Sequence, residues 1–185
     1  MDYQPALGDS RGGQMPPVAA SPFRNGGSLR QQRGRMLAVE APASAPPWAE
    51  VITAAERPDL WLALLAEDRF RSVWHNHHGN HAGRDFGVLF PDHADLQVLV
   101  VDTRIGEVVA RGRTIPFRWD GSLEDLPRGI DAVGLRALDE DAQPTALSAL
   151  AAEVLDEHQG RGLSGVVVTA MAAVARGHGL RPLVP

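Results

Sequence analysis

The residues whose types and spacing offer chemistry lie near the end of the chain. Gln159-Gly-Arg-Gly-Leu-Ser164 opens a strongly apolar run that extends from Leu163 to Arg176. Gly177 and Gly179 then close the run as helix C-termini are closed. Two glycines, Gly160 and Gly162, therefore precede a predicted helix. Without side chains, they let backbone N–H groups approach a ligand closely. A helix start also leaves N–H donors unpaired and carries partial positive charge. That combination suits a phosphate or pyrophosphate, and Arg161 adds a full charge at the same place. For the six residues alone, an ordinary Gly-rich turn is an equal alternative.

Competing motifs can be tested on the same residues. A P-loop needs Gly-Lys-Ser/Thr, whereas all 18 Lys and Arg positions are Arg. The same absence removes Schiff-base chemistry on a lysine. Gly160-Arg-Gly-Leu-Ser-Gly165 matches Gly-x-Gly-x-x-Gly formally. A dinucleotide-binding unit also requires repeated βαβ segments and an acidic residue downstream, and the upstream strands read as antiparallel. The nucleophile elbow Gly-x-Ser-x-Gly fails, because Ser164 is followed by Gly165 and Val166. With 0 Cys, thiol catalysis, disulfides and Cys-ligated zinc are excluded.

A second group is His75-Asn-His-His-Gly-Asn-His81, with Asp85, Asp92 and His93 nearby. Clustered imidazoles bind zinc or nickel. The spacing is poor for a helical zinc site, which wants His at i and i+4 with Glu between, because Gly79 and Asn80 interrupt it. A polar loop following a helix is the competing reading, and no metal ligand is assigned.

The elements that must position these groups begin at Trp48. Residues 1–47 are broken by Gly12-Gly13, Pro16-Pro17, Gly26-Gly27 and Pro46-Pro47, show no apolar period, and read as a disordered tail. Residues 48–185 read as the folded domain. Glu50 to Arg57 is predicted as a short helix, and Pro58 opens a second one. Leu60, Trp61, Leu64 and Leu65 give that helix an apolar stripe, which Phe70, Val73 and Trp74 extend. Leu96 to Val101 and Glu107 to Ile115 are predicted strands of a hairpin around Thr103–Gly106, with Pro116 ending the second. Gly129 to Leu138 is a predicted short helix. Thr145 to Leu155 favours helix by its Ala and Leu content, with only a weak alternation for a strand.

Composition bounds the class. Hydrophobic residues make up 44%, enough for one core. The net charge of −5 disfavours bulk attraction to nucleic acid or to an acidic membrane. The longest apolar stretch, Leu163 to Ala175, falls short of the ~20 residues that span a bilayer. The N-terminus lacks the basic start and apolar block of a secretory signal. The expectation is a cytoplasmic protein that binds neither nucleic acid nor membrane.

Val154-Leu-Asp-Glu-His-Gln-Gly-Arg-Gly-Leu-Ser164 resembles motif A of the GCN5-related N-acetyltransferases (GNAT), whose form is Gln/Arg-x-x-Gly-x-Gly/Ala between a strand and a helix. The wider run Leu147 to Leu183 and the hairpin at 96–115 fit the same family. The resemblance implies an α/β fold with a mixed, mostly antiparallel sheet flanked by helices. It makes 145–154 the fourth strand, against propensity. It implies acetyl-CoA as acyl donor, with Val154 bonding the pantetheine arm through its backbone. The amides of Gln159, Gly160, Arg161, Gly162, Leu163 and Ser164 would hold the pyrophosphate. The acceptor would be a small-molecule or peptide amine. Ser164 stands where Gly or Ala is usual, and Asp156 where Pro is common. The family's later strands and its Tyr acid have no counterpart here, which predicts a partial fold whose fifth-strand edge is covered by a second copy or a partner chain. By alternation with Val154, the ligand-facing side of the fourth strand would hold Ser148, Leu150 and Ala152, with Glu153 on the opposite side. The general base stays unassigned. Two other readings stand beside this one: a truncated, non-catalytic remnant that binds CoA or nothing, and a His-rich metal-binding module.

Overall fold

The structure is a computed structural model, and it describes Val39, residues 41–67, 69–70, 92–139 and 141–183. The His-rich segment 75–81, Asp85, Val73, Trp74 and the tail through residue 38 lie outside the described residues.

Chain order is β1 (Ala49–Thr53), α1 (Pro58–Glu67), β2 (Val98–Asp102), β3 (Glu107–Phe117), α2 (Ile130–Ala137), β4 (Ala146–Val154), α3 (Leu163–Gly177) and β5 (Arg181–Leu183). The five strands form one sheet in the order β1-β2-β3-β4-β5. Every neighbouring pair is antiparallel except β4 with β5, which is parallel. A parallel pair needs a crossover connection, usually a helix, and α3 fills that role. The fold is thus mixed α/β with a mostly antiparallel sheet.

Both faces of the sheet are covered, so the inner strand β2 is buried throughout. On one face, Ile52, Leu99, Val101, Val108, Ile115 and Phe117 pack with Trp61 and Leu64 of α1 and Val133 of α2. On the other, Val51, Val98, Val100, Val109 and Leu147 pack with α3. Leu163, Val166, Val167, Ala170, Met171, Val174 and Ala175 of α3 are buried at helical spacing. At about 1.5–3 kcal/mol for each large side chain, this stripe contributes on the order of 10 kcal/mol gross. Gly112 of β3 lies directly beneath α3. A Cβ there would stand 2.8 Å from Met171 Cγ and 2.9 Å from Val167 Cγ1, so the glycine sets how closely the helix seats.

Several sequence expectations change here. Glu50 to Arg57 is not a helix. Ala49–Thr53 is the edge strand β1, paired with β2 from Ala49↔Asp102 to Thr53↔Val98. Three consecutive β-branched residues, Val51-Ile52-Thr53, suit that pleated and buried position. Leu96 belongs to a 3-10 turn, Ala94–Leu96, and β2 starts at Val98. Gln97 bridges the gap: its Nε2 donates to Thr114 O at 3.1 Å and its Oε1 accepts from Thr114 N at 3.0 Å. Pro116 does not end β3. The β2 pairing stops at Gly112 and Gln97 takes the Thr114 N–H, so no ladder bond is asked of Pro116 on that side, and among the described residues it pairs only with Leu147 of β4. Phe70 is buried in the α1-side core but lies past the helix, which ends at Glu67.

The segment 146–154 is a strand, as the resemblance implied and propensity did not. It forms eight pairs with β3, from Phe117↔Ala146 to Ala110↔Val154. The register shifts between Arg113↔Ala151 and Thr114↔Ala149, so Leu150 is an extra residue on β4. That bulge overturns the simple alternation. Ser148 sits opposite Ile115, and Leu150 packs against the α1-side core, so both share the face of Glu153. Ala152, opposite Gly112, and Val154 share the α3 face.

Candidate functional site

The site grows from the far end of β4. Pairing with β5 runs only from Ala146↔Arg181 to Ser148↔Leu183. Among the described residues, Ala149 to Val154 has a strand neighbour on the β3 side alone. Leu155 N donates to Val109 O at 3.0 Å, so Leu155 turns its backbone groups toward β3. By ladder alternation, Val154 turns its N–H and C=O to the open edge.

A 3-10 turn, Asp156–His158, carries the chain from β4 into the glycine loop. His158 N donates to Leu155 O at 2.8 Å, and Gln159 Nε2 donates to Asp156 Oδ1 at 3.0 Å. The buried His158 ring meets Trp48 edge-on, with centroids 6.2 Å apart. The Arg104 guanidinium stacks on the same Trp48 at 4.6 Å. Arg104 in turn grips the buried Asp102, with Nε to Oδ1 at 2.9 Å and Nη2 to Oδ2 at 2.5 Å. Hydrogen bonding from Arg104 lowers the Asp102 pKa to about 2. The loop is therefore buttressed from beneath by a linked stack, His158 on Trp48 on Arg104 on Asp102.

Gly160 and Gly162 both adopt left-handed backbone, with φ of 73° and 75°. Gly162 is the N-cap of α3, and among the described residues no side chain caps the helix. The first intrahelical bond runs from Val166 N to Gly162 O at 3.3 Å, leaving the preceding N–H groups without helical partners. Among the described residues, nothing lies within 4 Å of a Cβ built on Gly160, Gly162 or Gly165. Gly160 and Gly162 answer a backbone requirement, and no described atom fills the space above the three. Leu163 is buried and anchors the helix start, while Ser164 is exposed. Arg161 is exposed, and its Nη2 donates to Glu157 O at 3.2 Å.

Beside the loop lies an open cavity of about 490 Å³, lined by Arg69, Phe70, Glu153, Val154, Leu155, Asp156, Glu157 and Gln159. It brings two of the sequence-predicted residues, Val154 and Gln159, to one wall. Arg69 lines it, 2.9 Å from Glu107 and 3.9 Å from Glu157. Within that lining, Glu153 is held by two arginines of β3. Arg111 Nε donates to Glu153 Oε2 at 2.7 Å, and Arg113 Nη2 donates to Oε1 at 3.2 Å. The Arg111 guanidinium stacks on Phe70 at 4.5 Å. Burial pulls the Arg113 pKa below its ordinary value, against the opposing Glu153 charge. Sequence reading missed Arg69, Phe70, Arg111 and Arg113 as site residues. The available signal was Arg-x-Arg within an apolar strand, since i and i+2 share one face.

Asp92 and His93 precede the turn into β2. Among the described residues, no group of three or more His, Cys, Asp or Glu is placed to hold a metal ion. Among them also, no helix is long and apolar enough to cross a membrane. No family model matches the chain, and no curated protein sequence matches it.

Proposed function

We propose that the protein is an acyl-CoA-dependent N-acetyltransferase of the GCN5-related kind, transferring acetyl from acetyl-CoA to a small-molecule or peptide amine. One observation carries this reading. The open backbone edge of β4 at Val154 runs straight into a left-handed glycine loop at the uncapped start of α3. A long, thin donor with a peptide-like arm and a pyrophosphate needs those two surfaces in that order. The sequence resemblance and the mixed sheet with its parallel β4–β5 pair agree with it.

In this reading Val154 bonds the pantetheine amides as an added strand would. The N–H groups from Gln159 to Ser164 receive the pyrophosphate, with Arg161 adding charge. The donor supplies an activated thioester. The amine nitrogen attacks its carbonyl carbon, the C–S bond breaks, and the sulfur leaves as thiolate and takes up a proton. The surplus proton of the amine passes to water or a carboxylate.

The test is calorimetric titration of the full chain with acetyl-CoA and with desulfo-CoA. Micromolar binding of both, lost in the Gly160→Glu, Gly162→Glu double variant, supports the reading. No binding by a cooperatively folded chain refutes it. A non-catalytic CoA binder is the second reading. It is favoured by Glu153, the carboxylate at the β4 end of the cavity, whose two oxygens already accept guanidinium N–H bonds. Acetyl-CoA binding without transfer to any member of a broad amine panel would select it.

A further inference from the structure

The Arg111–Glu153–Arg113 cluster has no role in the chemistry above, yet it is the most deeply buried charge group beside the cavity. The Arg111 side chain is 6% exposed and that of Glu153 15%. Charges are seldom buried unless they are paired, and this group pairs one carboxylate with two guanidiniums. The cluster sits where β4 is least supported. Leu150 is bulged out of register, β5 pairing has stopped at Ser148, and among the described residues β3 is the one strand neighbour of Ala151 to Val154. Glu153 pairs in register with Arg111, and its carboxylate reaches Arg113 as well, so the side chains span two rungs of the ladder at that point. Phe70 braces Arg111 from the cavity side. Val154 is the next residue.

We propose that Glu153 is a positioning residue: clamped by Arg111 and Arg113, it fixes the last half of β4 so that the outward N–H and C=O of Val154 stand ready for the pantetheine arm of the donor. This inference rests on the acyl-CoA reading. It separates two parts of one ligand. The clamp governs the β4 edge, while the glycine loop is held independently by its own backbone, by α3, and by the His158–Trp48 contact. Loosening the clamp therefore weakens the arm and spares the phosphates.

The experiment compares acetyl-CoA with adenosine 3′,5′-bisphosphate, which lacks the arm, by calorimetry on the full chain and its variants. In Glu153→Gln, the Kd of acetyl-CoA is expected to rise about 10-fold or more, since small misplacements of a binding group are costly. The Kd of the bisphosphate is expected to stay within about twofold of wild type. Glu153→Asp keeps the charge but shortens its reach, and is expected to show the same split at smaller amplitude, which keeps the test open where Glu153→Gln does not fold. Equal weakening of both ligands in a folded variant, or weakening of neither, overturns the positioning role. Wild-type protein that binds neither ligand overturns the acyl-CoA reading itself, which is a different result.

Discussion

Gly112→Ala tests the seating of α3 on the sheet. The new Cβ would meet Met171 Cγ and Sδ at 2.8 Å and Val167 Cγ1 at 2.9 Å. Carbon atoms in contact prefer about 3.5–4.0 Å, so the helix or its side chains must give by somewhat under 1 Å. Met171 has rotatable bonds to spare, whereas Val167 is stiff at χ1 within a helix. Overpacking of this kind costs about 1–3 kcal/mol. Loss of glycine entropy in the unfolded chain returns about 0.4–1 kcal/mol. The net expectation is a loss of about 1–2 kcal/mol, or roughly 2–8 °C in Tm for a chain of this size. Urea unfolding followed by circular dichroism reads the midpoint, and an unchanged m-value identifies a stability effect. The decisive comparison is a double-mutant cycle with Val167→Ala, which removes the stiffer obstacle. Gly112→Ala should cost about 1 kcal/mol less in that background. An alanine that is tolerated without loss, or that costs as much with Val167 as without it, would show that α3 does not rest on β3 at this residue.

Other outcomes follow from the same structure. Gly160→Ala and Gly162→Ala each force an L-residue into left-handed backbone and should cost about 1–2 kcal/mol by urea unfolding, although no atom of the described residues obstructs either new Cβ. Glu153→Leu, which strands the buried Arg111, should cost about 3–5 kcal/mol, and the Arg111→Met, Glu153→Leu double variant should recover part of that loss. Asp102 has a folded pKa of about 2, below the ordinary 3.8, so its ionised form stabilises the fold. That contribution is complete above the unfolded pKa and disappears as pH falls from about 4 through 2. The urea midpoint of the wild type should fall more steeply across that window than that of Asp102→Asn.

How much was legible depended on whether local composition agreed with its tertiary setting. The β2–β3 hairpin was readable because its β-branched runs flank a clear turn, Thr103–Gly106. The α3 helix was readable because its apolar residues repeat at helical spacing and glycines bound it. Ala146–Val154 was not, because Ala-Leu-Ser-Ala-Leu-Ala-Ala-Glu-Val carries helix propensity. The β3 ladder overrides it with eight cross-strand pairs, and only the motif that follows hinted at a strand. The β1 strand was hidden by the acidic and Ala-rich residues around three β-branched positions. Of the candidate site, the loop from Gln159 to Ser164 was visible because its glycines answer a backbone need. The guanidinium–carboxylate cluster was not visible, because Arg111 and Glu153 meet only through pairing across 42 residues of chain.

The extra residue at Leu150 also governs how this strand tolerates change in length. Deleting Leu150 would join Ala149 to Ala151 and leave each opposite its present partner, Thr114 and Arg113, so the ladder would run without a bulge and Glu153 would still face Arg111. An insertion between Ala151 and Val154 has no such slack, and it turns the residues beyond it onto the opposite face. Substitutions in this nine-residue strand are thus ordinary packing problems and the loss of one residue at the bulge is absorbed, whereas a residue added past it exchanges the sides on which charge and hydrocarbon are served. Any pairwise alignment of this segment must therefore place its gap at the bulge, or it will equate residues that stand on opposite faces of the sheet.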